Sequence, residues 1–353
     1  MRTEPAKALA PATDFELPPA AEASAPPERR GLARDRVRLL VARRDGIEHR
    51  RFRDLPDLLA PGDLVVINTS ATLPAALDAQ RGSGRPSRVH VSSQLDDGSW
   101  VVEVRRRDGA GPDLTVARGE RLALIGGLTL TVSAPYPDSD ATLSRLWRAS
   151  AGTPVSAAAY LHGHGEPIRY GHLAGRYPLA DHQTVYANQP GSAEMASAGR
   201  PFTAPLLVRM LARGVTVAPV VLHAGVSSQE LPEQPLPERF EVPAATARLV
   251  RSAREAGQRV IAVGTSVVRA LETAAAEGAT VRPSAGWTDL VLGPERAARV
   301  VDGLVTGLHA PATSHLLLLE ALAGAPLVGA AYAAALERRY LWHEFGDSTL
   351  FLP

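Results

Sequence analysis

Residues 259–272 read Arg259-Val260-Ile261-Ala262-Val263-Gly264-Thr265-Ser266-Val267-Val268-Arg269-Ala270-Leu271-Glu272. The consecutive apolar residues before Gly264 describe a strand buried on both faces. Gly264 then opens a turn, and helical periodicity follows through about residue 277. A buried strand feeding straight into a helix is the repeating unit of an α/β sheet. The same alternation occurs on both sides of this stretch. Residues 62–68 leave a Pro-Gly turn as an apolar strand, and residues 37–41 form a shorter one. Residues 204–213 make a helix that ends at Gly214, 215–223 a strand, and 244–256 an amphipathic helix that ends at Gly257. Short strands at 289–292 and 301–305 and helices at 314–322 and 327–340 complete the series. The pattern predicts a largely parallel sheet with helices packed on it.

The texture is different between residues 76 and 154. Segments 89–94 and 100–105 flank Asp96-Asp97-Gly98, and segments 114–117 and 122–125 flank Arg118-Gly119-Glu120. Both are hairpin signals, and a further segment at 128–132 follows Gly126-Gly127. Closely spaced strands with no helix between them predict a small barrel. The expected fold is therefore an α/β main domain with an inserted small all-β barrel. Its divisions are a disordered leader at 1–13, the α/β domain at 14–75 and 155–353, and the barrel at 76–154. Asp14-Phe15-Glu16-Leu17-Pro18 reads as a short ordered start, followed by a Pro/Ala/Glu linker to about Gly31.

Composition narrows the chemistry. The chain has 353 residues and no cysteine, which excludes thiolate metal sites, a cysteine nucleophile and disulfides. Lys7 is the only lysine among 38 basic residues, and it lies in the Pro/Ala-rich leader. A phosphate-loop lysine and a Schiff-base lysine are therefore not expected. A net charge of +1 argues against a bulk nucleic-acid coat but permits a local basic face. No apolar run reaches a membrane-spanning length of about 18 residues, so no membrane is expected and the expected compartment is the cytoplasm.

Several strand ends carry polar groups. Ligands of open α/β sheets sit beyond the carboxyl ends of the strands. His223-Ala224-Gly225 closes one strand, and His309-Ala310-Pro311 lies just past another. Gly264-Thr265-Ser266 opens a helix whose first backbone amides favour an anion, although an ordinary helix cap has the same pattern. Arg269 and Glu272 lie one turn apart and could pair with each other rather than with a ligand. Gly346-Asp347 stands in the C-terminal tail. His162-Gly163-His164 has the look of a metal pair, but its glycines read as a polar loop.

Taken in order, these segments resemble the S-adenosylmethionine:tRNA ribosyltransferase-isomerase family of queuosine biosynthesis. The similarity runs through Asp14-Phe15-Glu16-Leu17-Pro18, Pro61-Gly62-Asp63-Leu64-Val65-Val66-Ile67-Asn68 and Gln183-Thr184-Val185-Tyr186-Ala187. It continues through Ser197-Ala198-Gly199, Leu222-His223-Ala224-Gly225, Gly264-Thr265-Ser266, Gly303-Leu304-Val305-Thr306-Gly307-Leu308-His309-Ala310-Pro311 and Phe345-Gly346-Asp347. The sequence departs from the family pattern at Ala71 and Ala76, which replace arginines, and at Pro201, which replaces a histidine.

The resemblance implies an α/β domain with an inserted barrel. It also implies transfer and isomerisation of the ribosyl moiety of S-adenosylmethionine onto 7-aminomethyl-7-deazaguanine in a tRNA anticodon loop. The products are epoxyqueuosine-tRNA, adenine and methionine. S-adenosylmethionine is the co-substrate, no metal is implied, and a monomer is expected. A relative with another acceptor and a non-catalytic binding protein on the same fold are the alternatives. The sulfonium acidifies the adjacent 5′ C–H, so the chemistry needs a base, an acid for adenine and a cradle for the methionyl carboxylate. Lys7 is excluded by position and Pro201 stands where the family has a histidine, so among the groups in matching segments a neutral imidazole is the fitting base: His309 is favoured, His223 second, with Asp347 orienting a histidine or facing the sulfonium. Contacts to S-adenosylmethionine are expected from Asn68, Gln183, Tyr186, Gly199, Gly225, Gly264, Thr265, Ser266, Arg269 and Pro311. The barrel, whose acidic groups include Asp96, Asp97 and Glu103, is expected to be peripheral to the ribose chemistry.

Overall fold

In chain order the elements are β1 (Arg38–Arg43), β2 (Gly46–Arg51), α1 (Leu55–Leu58), β3 (Leu64–Asn68), β4 (Ser70–Thr72), β5 (Ala76–Arg81), β6 (Pro86–Gln94), β7 (Trp100–Arg106), β8 (Arg121–Leu124), β9 (Thr129–Pro135) and β10 (Leu146–Ala151). They continue with α2 (Ala157–His164), β11 (Gln189–Ser192), α3 (Ala204–Ala212), β12 (Thr216–Leu222), β13 (Glu238–Val242), α4 (Ala244–Glu255), β14 (Val260–Val263), α5 (Thr265–Thr273), β15 (Ser284–Thr288), β16 (Gly303–Gly307), α6 (Ser314–Ala323), α7 (Ala325–Glu337) and β17 (Ser348–Leu352). This is a computed structural model that describes residues 10–107, 111–227, 235–275 and 278–353.

Nine strands form one mixed sheet in the order β15-β13-β12-β3-β14-β16-β17-β1-β2. Its centre is the parallel set β12, β3, β14 and β16. β17 runs antiparallel to β16, so Ser348 at its start faces Gly307 at the end of β16. The carboxyl ends of four strands and the approach to β17 therefore share one edge. Both faces of the sheet are covered, which is why these strands read as unbroken apolar runs. Leu64 and Val66 pack with Val250, Val267, Leu271, Leu316 and Tyr332 on one side. Val65 and Ile67 pack with Phe52, Phe202, Leu206 and Met210 on the other.

A six-stranded barrel closes in the order β10-β7-β6-β5-β8-β9. Its hydrophobic core does not stop at the last strand: Ala157, Leu161, Tyr170, Leu173, Met195 and Phe345 join it. The barrel docks on the sheet through Ser92, whose Oγ accepts the Val226 amide at 3.0 Å, and through Asp96, which pairs with Arg239 and accepts Trp287 Nε1 at 2.9 Å.

Four local expectations are corrected. Residues 114–117 form no strand. Buried Asp113, paired with Arg81 and Arg85, accepts the Thr115 amide and hydroxyl, and Arg81 donates to the Thr115 carbonyl, so side chains replace a strand partner there. β8 pairs instead with β5 and β9. Residues 289–292 form no strand either, since β15 lies earlier at Ser284–Thr288. The leader does not extend to 13, because Glu320 accepts the Ala12 and Thr13 amides at 3.1 and 2.6 Å; residues 1–9 lie outside the described residues. The expected linker is ordered. Ala21 and Ala23 exchange backbone hydrogen bonds with Trp342, and Arg30 donates to the Phe345 carbonyl at 2.7 Å.

Candidate functional site at the carboxyl edge of the sheet

Asn68 ends β3 and ties the edge together. Its Oδ1 accepts the amides of Ser70 and Leu222, and its Nδ2 donates to the Leu222 carbonyl at 2.8 Å and to Ser266 Oγ at 3.3 Å. One amide side chain thus fixes the ends of β3 and β12 to the start of α5. Gly264 caps that helix at φ +96°, ψ 150°, a conformation essentially reserved for glycine. Because Gly264 holds the cap position, the hydroxyls of Thr265 and Ser266 are not the capping groups. The Val267 and Val268 amides bond to the Gly264 carbonyl, which leaves the Thr265 and Ser266 amides without a helical carbonyl partner at the positive end of the dipole.

His223 follows β12. Its Nδ1 lies 2.7 Å from Ser70 Oγ, which lies 2.6 Å from Ser192 Oγ, which in turn accepts the Ala224 amide at 3.0 Å. Gly191 permits this arrangement, since a Cβ there would sit 2.5 Å from the His223 ring. Burial, helped by the nearby Arg239 charge, lowers the His223 pKa to about 4. Gly225 gives its amide to Glu238 and packs against Ser92 of the barrel, so the barrel walls the edge two residues beyond His223.

His309 follows β16. Its Nε2 lies 2.9 Å from Thr306 Oγ1, its amide donates to Tyr332 Oη and its carbonyl accepts Trp342 Nε1, both at 3.0 Å. Its ring stacks on His315 at 4.5 Å and 4°. Burial first, then His315, pushes the His309 pKa well below the usual histidine range. His315 falls to about 4 through burial and the Arg269 charge. Both site histidines are therefore neutral at pH 7. β3 and β14 lie between β12 and β16, so the strand ends that carry the two histidines are three interstrand spacings apart, about 14 Å. Pro311 lies just beyond His309. A narrow crevice beside the end of β16 is lined by Ser197, Gly307, His343, Glu344 and Ser348.

Other expected site residues serve the scaffold. Asp347 accepts the Arg38 amide and Nε at 2.8 and 2.9 Å and the Leu341 amide at 2.9 Å, so its hydrogen bonds go to an arginine and to backbone rather than to a histidine. Arg269 and Glu272 do not pair. Arg269 binds Glu238 and the carbonyls of Leu236, Thr288 and Leu290, while Glu272 accepts the amides of Arg299, Val300 and Val301. Gln183 clamps both backbone groups of Thr72. Tyr186 is partly buried against Phe202 and Gly199. His162 and His164 lie on helix α2, not in a loop; positions two apart diverge around a helix, and the two rings meet Ala158 and Tyr160 respectively. In the barrel, burial alone would raise the Glu103 carboxyl. The His90 contact and the Arg105 and Arg145 guanidiniums outweigh burial and hold it at about 2.

Sequence reasoning missed Ser70, Ser192, Gly191 and His315, which become partners only across chain-distant contacts. It also missed Glu194, which follows the Ala193 amide bonded to the Ala224 carbonyl. Burial raises the Glu194 carboxyl to about 8, although the Ser227 amide and hydroxyl hydrogen-bond to it. Its neighbours are Ser227, Tyr170 and Glu344, and it lies two residues beyond Ser192, the residue that closes the Ser70–His223 chain.

With this geometry in place, comparisons with known proteins are informative. Residues 11–351 match the family model described as "Queuosine biosynthesis protein". An S-adenosylmethionine:tRNA ribosyltransferase-isomerase from Moorella thermoacetica is 34% identical, covering 96% of this chain and 98% of the relative. One of the same name from Acidiphilium cryptum is 36% identical, covering 96% and 97%. The crystal structure of an S-adenosylmethionine tRNA ribosyltransferase from Thermotoga maritima superposes with a TM-score of 0.53 at 31% identity, covering 96% of this chain and 99% of that one.

Proposed function

The chain belongs to the queuosine biosynthesis family of S-adenosylmethionine:tRNA ribosyltransferase-isomerases, and from that premise we propose that the carboxyl edge of its sheet binds S-adenosylmethionine and carries out the ribosyl chemistry. The enzyme transfers and isomerises the ribosyl moiety onto 7-aminomethyl-7-deazaguanine in tRNA, with epoxyqueuosine-tRNA, adenine and methionine as products. Similarity of one name over nearly the whole length favours this reading over another acceptor or a binding protein.

The observation that carries the assignment is the convergence of four strand ends on a glycine-opened helix terminus between two neutral imidazoles. The methionyl carboxylate is placed at the first amides of α5, where the helix dipole favours an anion. Asn68, tied to Ser266, and Thr265 are assigned to that position, and Gly225 and Pro311 to its flanks beyond β12 and β16. His309 takes the 5′ proton in the neutral form that a base requires, and His223 is the second choice. Glu194 gives a proton to the departing adenine. Two protons are released, one from the 5′ carbon to His309 and one from the acceptor amine as it is alkylated; adenine takes one by way of Glu194, and the other leaves to solvent as the sulfonium gives way to neutral methionine. Asp347 acts through Arg38, anchoring the tail that lines the crevice. The barrel contributes a wall near His223 that the tRNA can reach. Among the described residues no single helix is long and apolar enough to cross a membrane. A cytoplasmic monomer is part of the same proposal.

The test is His309→Gln, assayed for deuterium exchange at the 5′ position of bound S-adenosylmethionine and for adenine release. Loss of both by about a hundredfold or more, with cofactor binding retained, is expected. Wild-type rates in that variant would remove His309 from the role and leave His223 to be tested in the same way.

A further inference from the structure

We propose that Glu22, His172 and His343, with Glu344 beside them, form a binding site for one divalent first-row transition ion, of the zinc class. The four residues come from three chain-distant segments. Residues 21–23 run beside 342 through backbone hydrogen bonds, which brings Glu22 to the tail. His172 arrives from the connection between α2 and β11. One ligand atom each from Glu22, His172 and His343 lie within 4.8 Å of one another.

The pair distances fit a shared ion. His343 Nε2 is 3.0 Å from Glu22 Oε1, and His172 Nε2 is 3.1 Å from Glu344 Oε2. Tetrahedral bonds of 2.0–2.1 Å place neighbouring ligand atoms about 3.3 Å apart. The second pair is the more telling. The His172 side chain is 3% exposed, and its Nε2 and Glu344 Oε2 are both buried, yet neither atom makes a hydrogen bond. At 3.1 Å the two atoms form an ion pair without hydrogen-bond geometry, so neither has the partner that buried polar atoms usually find. An ion on His172 would give its nitrogen that partner and face the Glu344 carboxylate with positive charge. His343 and His172 stack at 4.8 Å, and His343 adopts φ +67°.

The donor chemistry selects the ion. Two imidazoles with carboxylates suit zinc, cobalt, nickel or ferrous iron, whereas calcium and magnesium prefer all-oxygen shells. The site also pins the tail: His343 and Glu344 line the crevice beside Gly307, so an ion here would fix one wall of the edge without touching the ribose. It escapes motif reading because residues 22, 172 and 343 have no fixed spacing.

The experiment uses the untagged full chain, stripped with a chelator and titrated separately with Zn(II), Co(II) and Mg(II). We expect one Zn(II) per chain, an intense visible Co(II) spectrum of tetrahedral type, and no saturable Mg(II) binding. His343→Asn should weaken Zn(II) at least a hundredfold and abolish the Co(II) bands. Glu22→Gln, at a partly exposed side chain, provides a variant that keeps its fold and should weaken Zn(II) about tenfold. Absence of stoichiometric Zn(II) binding would overturn the proposal and leave two histidine–carboxylate ion pairs. Equal affinity in wild type and both folded variants would overturn it as well.

Discussion

His223 and His315 share a physical circumstance: each ring is held to about 4 by burial, against about 6.5 in an unfolded chain. Between those values the unfolded state binds more protons than the folded one. Stability contributed by these two groups is therefore complete above about pH 6.5 and is lost as pH falls toward 4, on the order of 1–3 kcal/mol apiece. Because Glu194, raised to about 8, favours the folded state over the same fall in pH, the comparison of variants reads the histidine contribution: between pH 7 and pH 4.5 in urea, His223→Gln should lose less stability, or gain more, than the parent chain. An equal pH dependence with and without His223 would mean that its ring is solvated in the folded chain. Gly191 shows why such residues were illegible from the sequence. It is one glycine among 30, and only the fold reveals that the His223 ring occupies the space its side chain would take.

The strand-turn-helix unit of β14 and α5 could be read from the sequence because every local preference agreed: an apolar strand, a glycine and then helical spacing. Its prediction is correspondingly local. A Cβ on Gly264 would meet Ser266 Oγ at 3.4 Å and Ala198 Cβ at 3.5 Å, both ordinary contacts, so the cost of Gly264→Ala lies in the backbone. We expect a loss of about 1–3 kcal/mol in urea unfolding and weaker S-adenosylmethionine binding, because the helix terminus would shift. An unchanged midpoint would show that the φ of +96° is not enforced. Elements held by side chains rather than by strand or helix partners were not legible in this way. Residues 114–117 alternate like a strand but are held by Asp113 and Arg81, and the proline-rich stretch before Gly31 looks like a linker but is sewn to the tail at Trp342.

At the scale of the whole molecule, the α/β sheet and the closed barrel agree with the architecture expected from the sequence. Their junction does not follow from it. The barrel core continues into α2, the 165–195 connection and Phe345, and Ser92 and Asp96 carry the barrel to the end of the sheet where His223 stands. Strand ends can be located from periodicity, but which of them face one another depends on strand order, and that order is set by packing far along the chain. The account as a whole stands on one claim, that this edge performs the complete ribosyl transfer and isomerisation. The direct measurement is incubation of the purified chain with S-adenosylmethionine and tRNA carrying 7-aminomethyl-7-deazaguanine, followed by mass spectrometry of the nucleosides and small molecules. The account predicts epoxyqueuosine in the tRNA with adenine and methionine released in equal amounts, whereas unmodified tRNA and intact S-adenosylmethionine, recovered from a folded protein that binds both, would contradict it.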